Sequence, residues 1–171
     1  ATFVDGIPVN MRSHAHGQGY TDLNPVIPEI VDRIAYKKGP YYAEEGDFAS
    51  AGAAHVRLVD TLSRGVLSLT GGNDSYTRGL LANSFGLSAG NLLYALEAGY
   101  NDGPWNYGEH FRKFNGVLRF SQGTSEDGFS LTAMGYDAHW NSTDQIPKRA
   151  VTEGLIGRFG ALDPSDGGET A

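Results

Sequence analysis

Two histidines one residue apart, His14 and His16, stand in the stretch MRSHAHGQGY, residues 11–20. Alternate histidines on an extended chain project to one side and can share an ion. A usable site needs a third or fourth ligand, and Asp22 is the only nearby candidate. A nucleophilic triad can be drawn from Ser13, His14 and Asp22. It lacks the strand–turn–helix elbow that exposes such a serine. Asp163 and Asp166, set among Pro164, Gly167 and Gly168, have the composition of a calcium-type loop. Acidic turns share that composition without binding metal. No catalytic residue, resident metal or cofactor is therefore expected.

The elements that must position these residues fall into two zones. In the first, Phe3-Val4, Asp5-Gly6 and Ile7-Pro8-Val9 read as strand, tight turn and strand, because Asp-Gly readily takes the turn conformation. A polar, Gly-rich loop follows from Asn10 to Tyr20. Ile27, Ile30, Val31 and Ile34 recur at helical spacing, which predicts a short helix after Pro28 and a strand at Arg33 to Tyr36. Gly39-Pro40 ends that unit. Small residues then lead into the alternating Val56 and Leu58.

From Ser63 onward strand follows strand. In NLLYALEAGYN, Leu92, Tyr94, Leu96, Ala98 and Tyr100 share one face, and Leu93, Ala95, Glu97 and Asn101 share the other. FRKFNGVLRFSQ repeats the design, with Phe114, Gly116, Leu118 and Phe120 opposite Lys113, Asn115, Val117, Arg119 and Ser121. GFSLTAMGYDAHWNS does so again, with Thr132, Met134, Tyr136, Ala138 and Trp140 opposite Asp137 and His139. Segments of about ten residues are long enough to cross a bilayer as tilted strands. Alternation alone does not separate them from a soluble antiparallel sheet with one wet face. The connections bear on that choice. Leu87 to Gly90 and Thr124 to Asp127 are tight, whereas NDGPWNYGEH and the stretch from Thr143 are long; only the first outer connection, Asn73 to Ser75, is short for its side. Short turns at one end and long loops at the other are the habit of outer-membrane barrels. Aromatic residues also sort to the strand ends, with Phe85, Phe120 and Phe129 by the tight turns and Tyr100, Trp105, Tyr107, Tyr136 and Trp140 by the long loops.

Composition narrows the classes further. The 171 residues suit one domain or two small ones. Net charge is −7, and no basic stripe offers a nucleic-acid surface. The absence of cysteine excludes a disulfide framework and a thiolate metal site. The 24 glycines are scattered through segments rich in Leu, Phe and Tyr, which suits a large β-structure. No apolar run reaches the 18 residues of a membrane-spanning helix.

FVDGIPVN (Phe3 to Asn10), IPEIVDRIAYKKGP (Ile27 to Pro40) and GDFASAGAAHVRL (Gly46 to Leu58) occur in that order, followed at once by the alternating strands. In this the chain resembles a TonB-dependent outer-membrane receptor, specifically the second half of the plug domain and the first barrel strands. Val31-Asp32-Arg33-Ile34 with Lys38-Gly39-Pro40 matches the family's helix–strand element, and Ala51 to Ala54 with Val56 and Leu58 its closing strand. RFGALDPSDGGET looks like the start of a further barrel strand. Lys38 stands where arginine is usual, and Ala53-Ala54 where glycine is common.

The resemblance implies a mainly β fold: antiparallel transmembrane barrel strands, here a partial barrel over residues 63–171, preceded by part of a small α/β plug domain over residues 1–62. It implies no enzyme but a transporter in the outer membrane of a Gram-negative cell, taking up a siderophore, vitamin, metal chelate or oligosaccharide. The expected partners are that small-molecule or metal-chelate substrate, outer-membrane lipid and a TonB-type energy-transducing protein that pulls a segment N-terminal to these residues. No nucleic acid is expected. About five strands cannot close a barrel, so the chain is expected to be a fragment of something longer. The segment from Met11 would be an apical plug loop, making Arg12, His14, His16, Gln18 and Tyr20 candidate substrate contacts or partners of the barrel wall. Arg33 and Lys38 would pair with lumen acids such as Glu97 and Asp137. The alternative is a soluble β-rich module that binds carbohydrate on Trp105, Tyr107 and Trp140.

Overall fold

A computed structural model describes residues 1–124, 127–143 and 145–163, together with the backbone of residues 169–170. The fold is mainly β, and all strand pairs but one for which a register is resolved are antiparallel. The described strands form a four-stranded and a six-stranded sheet.

The four-stranded sheet has the order β2-β1-β4-β3. β1 (Thr2–Val4) and β2 (Ile7–Pro8) form a hairpin. Its turn residues Asp5 and Gly6 both take positive φ, at 47° and 81°, as a two-residue I′ turn requires. β4 (Gly52–Leu58) runs parallel to β1 and antiparallel to β3 (Val31–Lys38). Phe3 pairs with His55 across the parallel ladder, and their rings stack at 4.6 Å.

The helix expected after Pro28 is a single 3-10 turn, Pro28–Ile30. Ile27 and Ile30 are fully buried, but Ile34 is exposed, so the four apolar residues do not share one face. Pairing of Val31–Lys38 with β4 wins over the helical spacing. β-branched Val31 and Ile34 favour that extended state. A bulge between Val31 and Arg33 absorbs Asp32.

The six-stranded sheet has the order β10-β9-β8-β7-β6-β5, formed by β5 (Val66–Gly71), β6 (Thr77–Leu87), β7 (Gly90–Asn101), β8 (Phe111–Gly123), β9 (Gly128–Asn141) and β10 (Glu169–Thr170). It is an open meander and does not close into a barrel. β6 to β9 run 11 to 14 residues each. Ser88 and Ala89 alone join β6 to β7. Thr124 N–H donates to Asp127 O at 3.0 Å in the turn between β8 and β9. The connection from β7 to β8 spans residues 102–110, and the one after β9 holds the five-residue helix α1 (Lys148–Thr152). Among the described residues no helix is long and apolar enough to cross a membrane.

The chain divides into two compact units: residues 1–63, 84–93 and 119–131, and residues 64–83, 94–118 and 132–171. In the first, Val4, Ile27, Ile30, Val56, Leu58 and Leu93 are buried. In the second, Leu80, Ala82, Ala95, Val117 and Ala138 are buried.

On β7 and β8 polar side chains share the buried face with Leu93, Ala95 and Val117, while large apolar side chains stand on the exposed face. On β7, Glu97 is 3% exposed and the adjacent Leu96 is 55% exposed. On β8, Asn115, Arg119 and Ser121 are buried, while Phe114 and Leu118 are exposed. Leu67 and Leu81 are directly paired between β5 and β6 and are both exposed. β9 is mixed: Ala138 is buried and Asp137 lies on the exposed side, with Phe129 and Leu131 exposed nearer its start.

Candidate functional site

The loop that follows the first hairpin is closed on itself. Met11 and Tyr20 form an isolated antiparallel bridge. Met11 N–H donates to Tyr20 O, and Gly19 N–H to Met11 O, both at 2.8 Å. Gly17 N–H donates to His14 O at 2.9 Å. At its base, the Asn10 side-chain amide donates to Gly19 O at 2.8 Å and to Thr21 Oγ1 at 2.7 Å, and its Oδ1 accepts Thr2 N–H at 2.7 Å.

Three of the five loop residues singled out by the sequence come together. The Tyr20 ring stacks on His14 with centroids 4.2 Å apart and on His16 at 5.3 Å. The two imidazoles lie 5.0 Å apart, with their Nδ1 atoms 3.2 Å from each other. His16 N–H also donates to His14 Nδ1. Arg12 and Gln18 are exposed on the same loop. The surface offers a cation, imidazole edges, a primary amide and a phenol within ten residues.

Two of the atoms that the metal and triad readings would use already accept hydrogen bonds. Asp22 Oδ1 accepts Asn24 N–H at 2.8 Å, and His14 Nδ1 is taken by His16. Among the described residues no three His, Cys, Asp or Glu side chains gather as a metal site. Asp163 is described, whereas Asp166 lies outside the described residues.

Each unit contains a buried ionic cluster. In the first unit, Arg119 is 4% exposed. Its Nη1 donates to Asp5 Oδ2 at 2.5 Å, and its Nη2 and Nε donate to Asp60 Oδ1 at 2.8 and 3.1 Å. Asp5 Oδ1 accepts Leu58 N–H at 3.0 Å, so one carboxylate of the hairpin turn ties β4 to β8. In the second unit, Glu97 receives Arg78 Nε at 2.5 Å and the Asn115 amide at 2.6 Å, with Lys113 Nζ at 3.2 Å. A buried carboxylate requires such pairing.

The expected partners of Glu97 and Asp137 were Arg33 and Lys38. Within its own unit the charge of Glu97 is met by Arg78 and Lys113. Asp137 is 3.6 Å from His139 Nε2. Lys38 lies over the Tyr36 ring at 5.5 Å, and Arg33 is exposed. Neither Arg33 nor Lys38 forms an ion pair among the described residues. Segment 1–62 does make an ion pair with a long strand, but with reversed charge: the acids are Asp5 and Asp60, and the base is Arg119.

A further acidic group borders β3. Lys37 Nζ meets Glu45 Oε1 at 2.5 Å and Glu44 Oε1 at 2.9 Å, and His55 Nε2 lies 2.8 Å from Glu45 Oε2. The hydrogen bond from Lys37, then that from His55, holds the Glu45 carboxyl below its ordinary value of 4.5. Glu44 is lowered by the same lysine.

No protein-family model matches the chain, and no curated protein matches it.

Proposed function

We propose that this chain is part of a TonB-dependent outer-membrane receptor, carrying the second half of the plug and the first strands of the barrel. The observation that carries the proposal is the polarity of β7 and β8, where Glu97, Asn115 and Arg119 are buried and Leu96, Phe114 and Leu118 are exposed. Water rewards the opposite arrangement. A lipid-facing wall around a polar lumen calls for this one. Short β6–β7 and β8–β9 turns, with the long β7–β8 connection and the long segment after β9, support the same reading, the short β5–β6 connection at residues 72–76 being the exception. So does the order of the strand–turn, strand and small-residue motifs that precede the sheet.

In this role the Met11–Tyr20 loop faces the incoming nutrient, and Arg12, His14, His16, Gln18 and Tyr20 are its contacts. Arg119 with Asp5 and Asp60 holds the plug-like segment to the wall. Import draws its energy from a TonB-type partner acting on a segment N-terminal to these residues, and the protein resides in the outer membrane of a Gram-negative cell.

The test exploits the lack of native cysteine. Leu96→Cys, Leu118→Cys and Val117→Cys are each spin-labelled in lipid vesicles. Labels at positions 96 and 118 should collide with membrane-dissolved oxygen and be shielded from a water-soluble nickel chelate. The label at position 117 should be shielded from both. Free collision of the chelate with positions 96 and 118 would sink the proposal in favour of a soluble module.

A further inference from the structure

We infer that the cavity between the β7–β8 connection and the segment after β9 binds a neutral, hydroxyl-rich ligand of the sugar class. It encloses about 400 Å³ within the second unit, inside the roughly 300–1,000 Å³ range of small-molecule sites. Trp105, Tyr107 and Phe159 are its aromatic lining, and Asn141, Gln145 and Thr143 are among its polar residues.

The chemistry of the walls selects the class. Aromatic faces take the C–H face of a pyranose ring. Primary amides, each with two donors and an acceptor, suit vicinal hydroxyls. Among the described residues no lysine or arginine lines the cavity, Asp163 is its acid, and His110 in its lining already meets Asp102 at 2.9 Å, so an anionic chelate or phosphate finds no uncommitted counter-charge. A quaternary ammonium would want aromatic faces arranged as a cage. Here Trp105 and Phe159 meet edge to face at 72°, and amide and hydroxyl residues share the lining.

The site is held in shape before any ligand arrives. Trp105 Nε1–H donates to Glu109 Oε1 at 2.7 Å, which fixes the indole. Asn106 N–H donates to Phe159 O at 2.9 Å, and Asn141 N–H to Glu109 O at 2.7 Å. These bonds join the two loops and β9. Asp102 accepts Tyr100 Oη–H at 2.7 Å and lies 2.9 Å from His110 Nδ1, bracing the start of the same loop. Preorganisation of this kind lowers the ordering cost of binding. Trp140, by contrast, packs on Phe111 at 5.8 Å and is not among the residues lining the cavity.

Binding depends on this cavity alone. That the bound sugar is also an import substrate rests on the receptor proposal. Isothermal titration of the full chain separates the two, run in plain buffer and in a polyoxyethylene detergent that has no sugar headgroup. The need for detergent reads the receptor proposal, and the heat reads this one. Maltose, cellobiose and lactose are the probes, with gluconate and choline as charged comparisons. At least one disaccharide should give saturable heat, and neither charged compound should. Tyr107→Ala and Gln145→Ala should each weaken binding about tenfold, and Tyr107→Phe should retain it. Should Tyr107→Ala not fold, Gln145→Ala carries the test. Absence of saturable heat with all three sugars, a preference for choline or gluconate, or binding unchanged in the folded variants overturns the inference.

Discussion

Arg119 Nη1 donates to Asp5 Oδ2 at 2.5 Å, across 114 residues of sequence. The bond joins the first hairpin turn to the middle of β8, and both side chains are largely out of water. Removing Arg119 strands the Asp5 carboxylate, which costs about 3 kcal/mol, whereas removing both partners costs much less. Arg119→Met should lower the unfolding free energy by that order, and Asp5→Asn by less, because Asp60 still accepts from the guanidinium. The double variant should recover at least half of the summed loss. Chemical denaturation of the four proteins measures it. Strict additivity would show that the two groups do not act as a pair.

Leu118 sits mid-strand on the exposed side of β8, between buried Val117 and Arg119. If that side meets lipid, a lysine there is costly by about 2–4 kcal/mol at the bilayer midplane. In water the same change would be nearly neutral, as surface substitutions usually are. Leu118→Lys should therefore reduce folding into vesicles strongly while leaving aqueous solubility no worse. Folding yield against urea in vesicles is the readout. An unchanged yield places this face in water.

Acid should loosen the first unit through Glu45. Its carboxyl is held below 4.5 in the folded chain, first by Lys37 and then by His55. A group whose folded value is depressed contributes fully above its ordinary value and loses that contribution as pH falls through the folded one. The unfolding midpoint should be flat near neutrality and fall below about pH 4.5. Glu45→Gln should start lower and fall less steeply. Parallel curves for the two proteins would assign the acid sensitivity to other carboxylates. Lys37→Met should mimic the glutamine variant, since its ammonium is the largest favourable partner.

Local chemistry made part of this molecule readable. Asp5-Gly6 announced its turn because a positive φ at both positions favours that pair. The alternation from Asn91 to Ser121 announced long strands with two unlike faces. Spacing misled at Ile27 to Ile34, where pairing with β4 outweighed a helical period spread over only eight residues. The partners of Arg119 could not be read at all. Asp5 already had a local explanation as a turn residue, and nothing in a window of sequence reports a contact 114 residues away. The cavity by Trp105 escaped for a related reason. Its walls come from two irregular loops, and irregular loops carry no period. Aromatics beside amides in both long connections were the available signal, while Trp140 packs on Phe111.

Tyr20 should control the order of the histidine loop. Its ring covers both imidazoles, at 4.2 and 5.3 Å, while backbone bonds from Gly17 to His14 and from Gly19 to Met11 close the loop beneath. Ring pairs of this kind contribute about 0.5–1.5 kcal/mol beyond burial. Losing both contacts should raise the open population of the loop about tenfold. Amide hydrogen exchange at Gly17 and Gly19 should therefore quicken by that factor in Tyr20→Ala and stay near the parent rate in Tyr20→Phe, which keeps the ring and loses the hydroxyl. Exchange in β4 should not change in either variant, because its ladder to β3 is made without the loop. Equal exchange at both glycines in all three proteins would mean that the backbone bridge alone closes the loop, leaving the phenol ring free to meet a ligand.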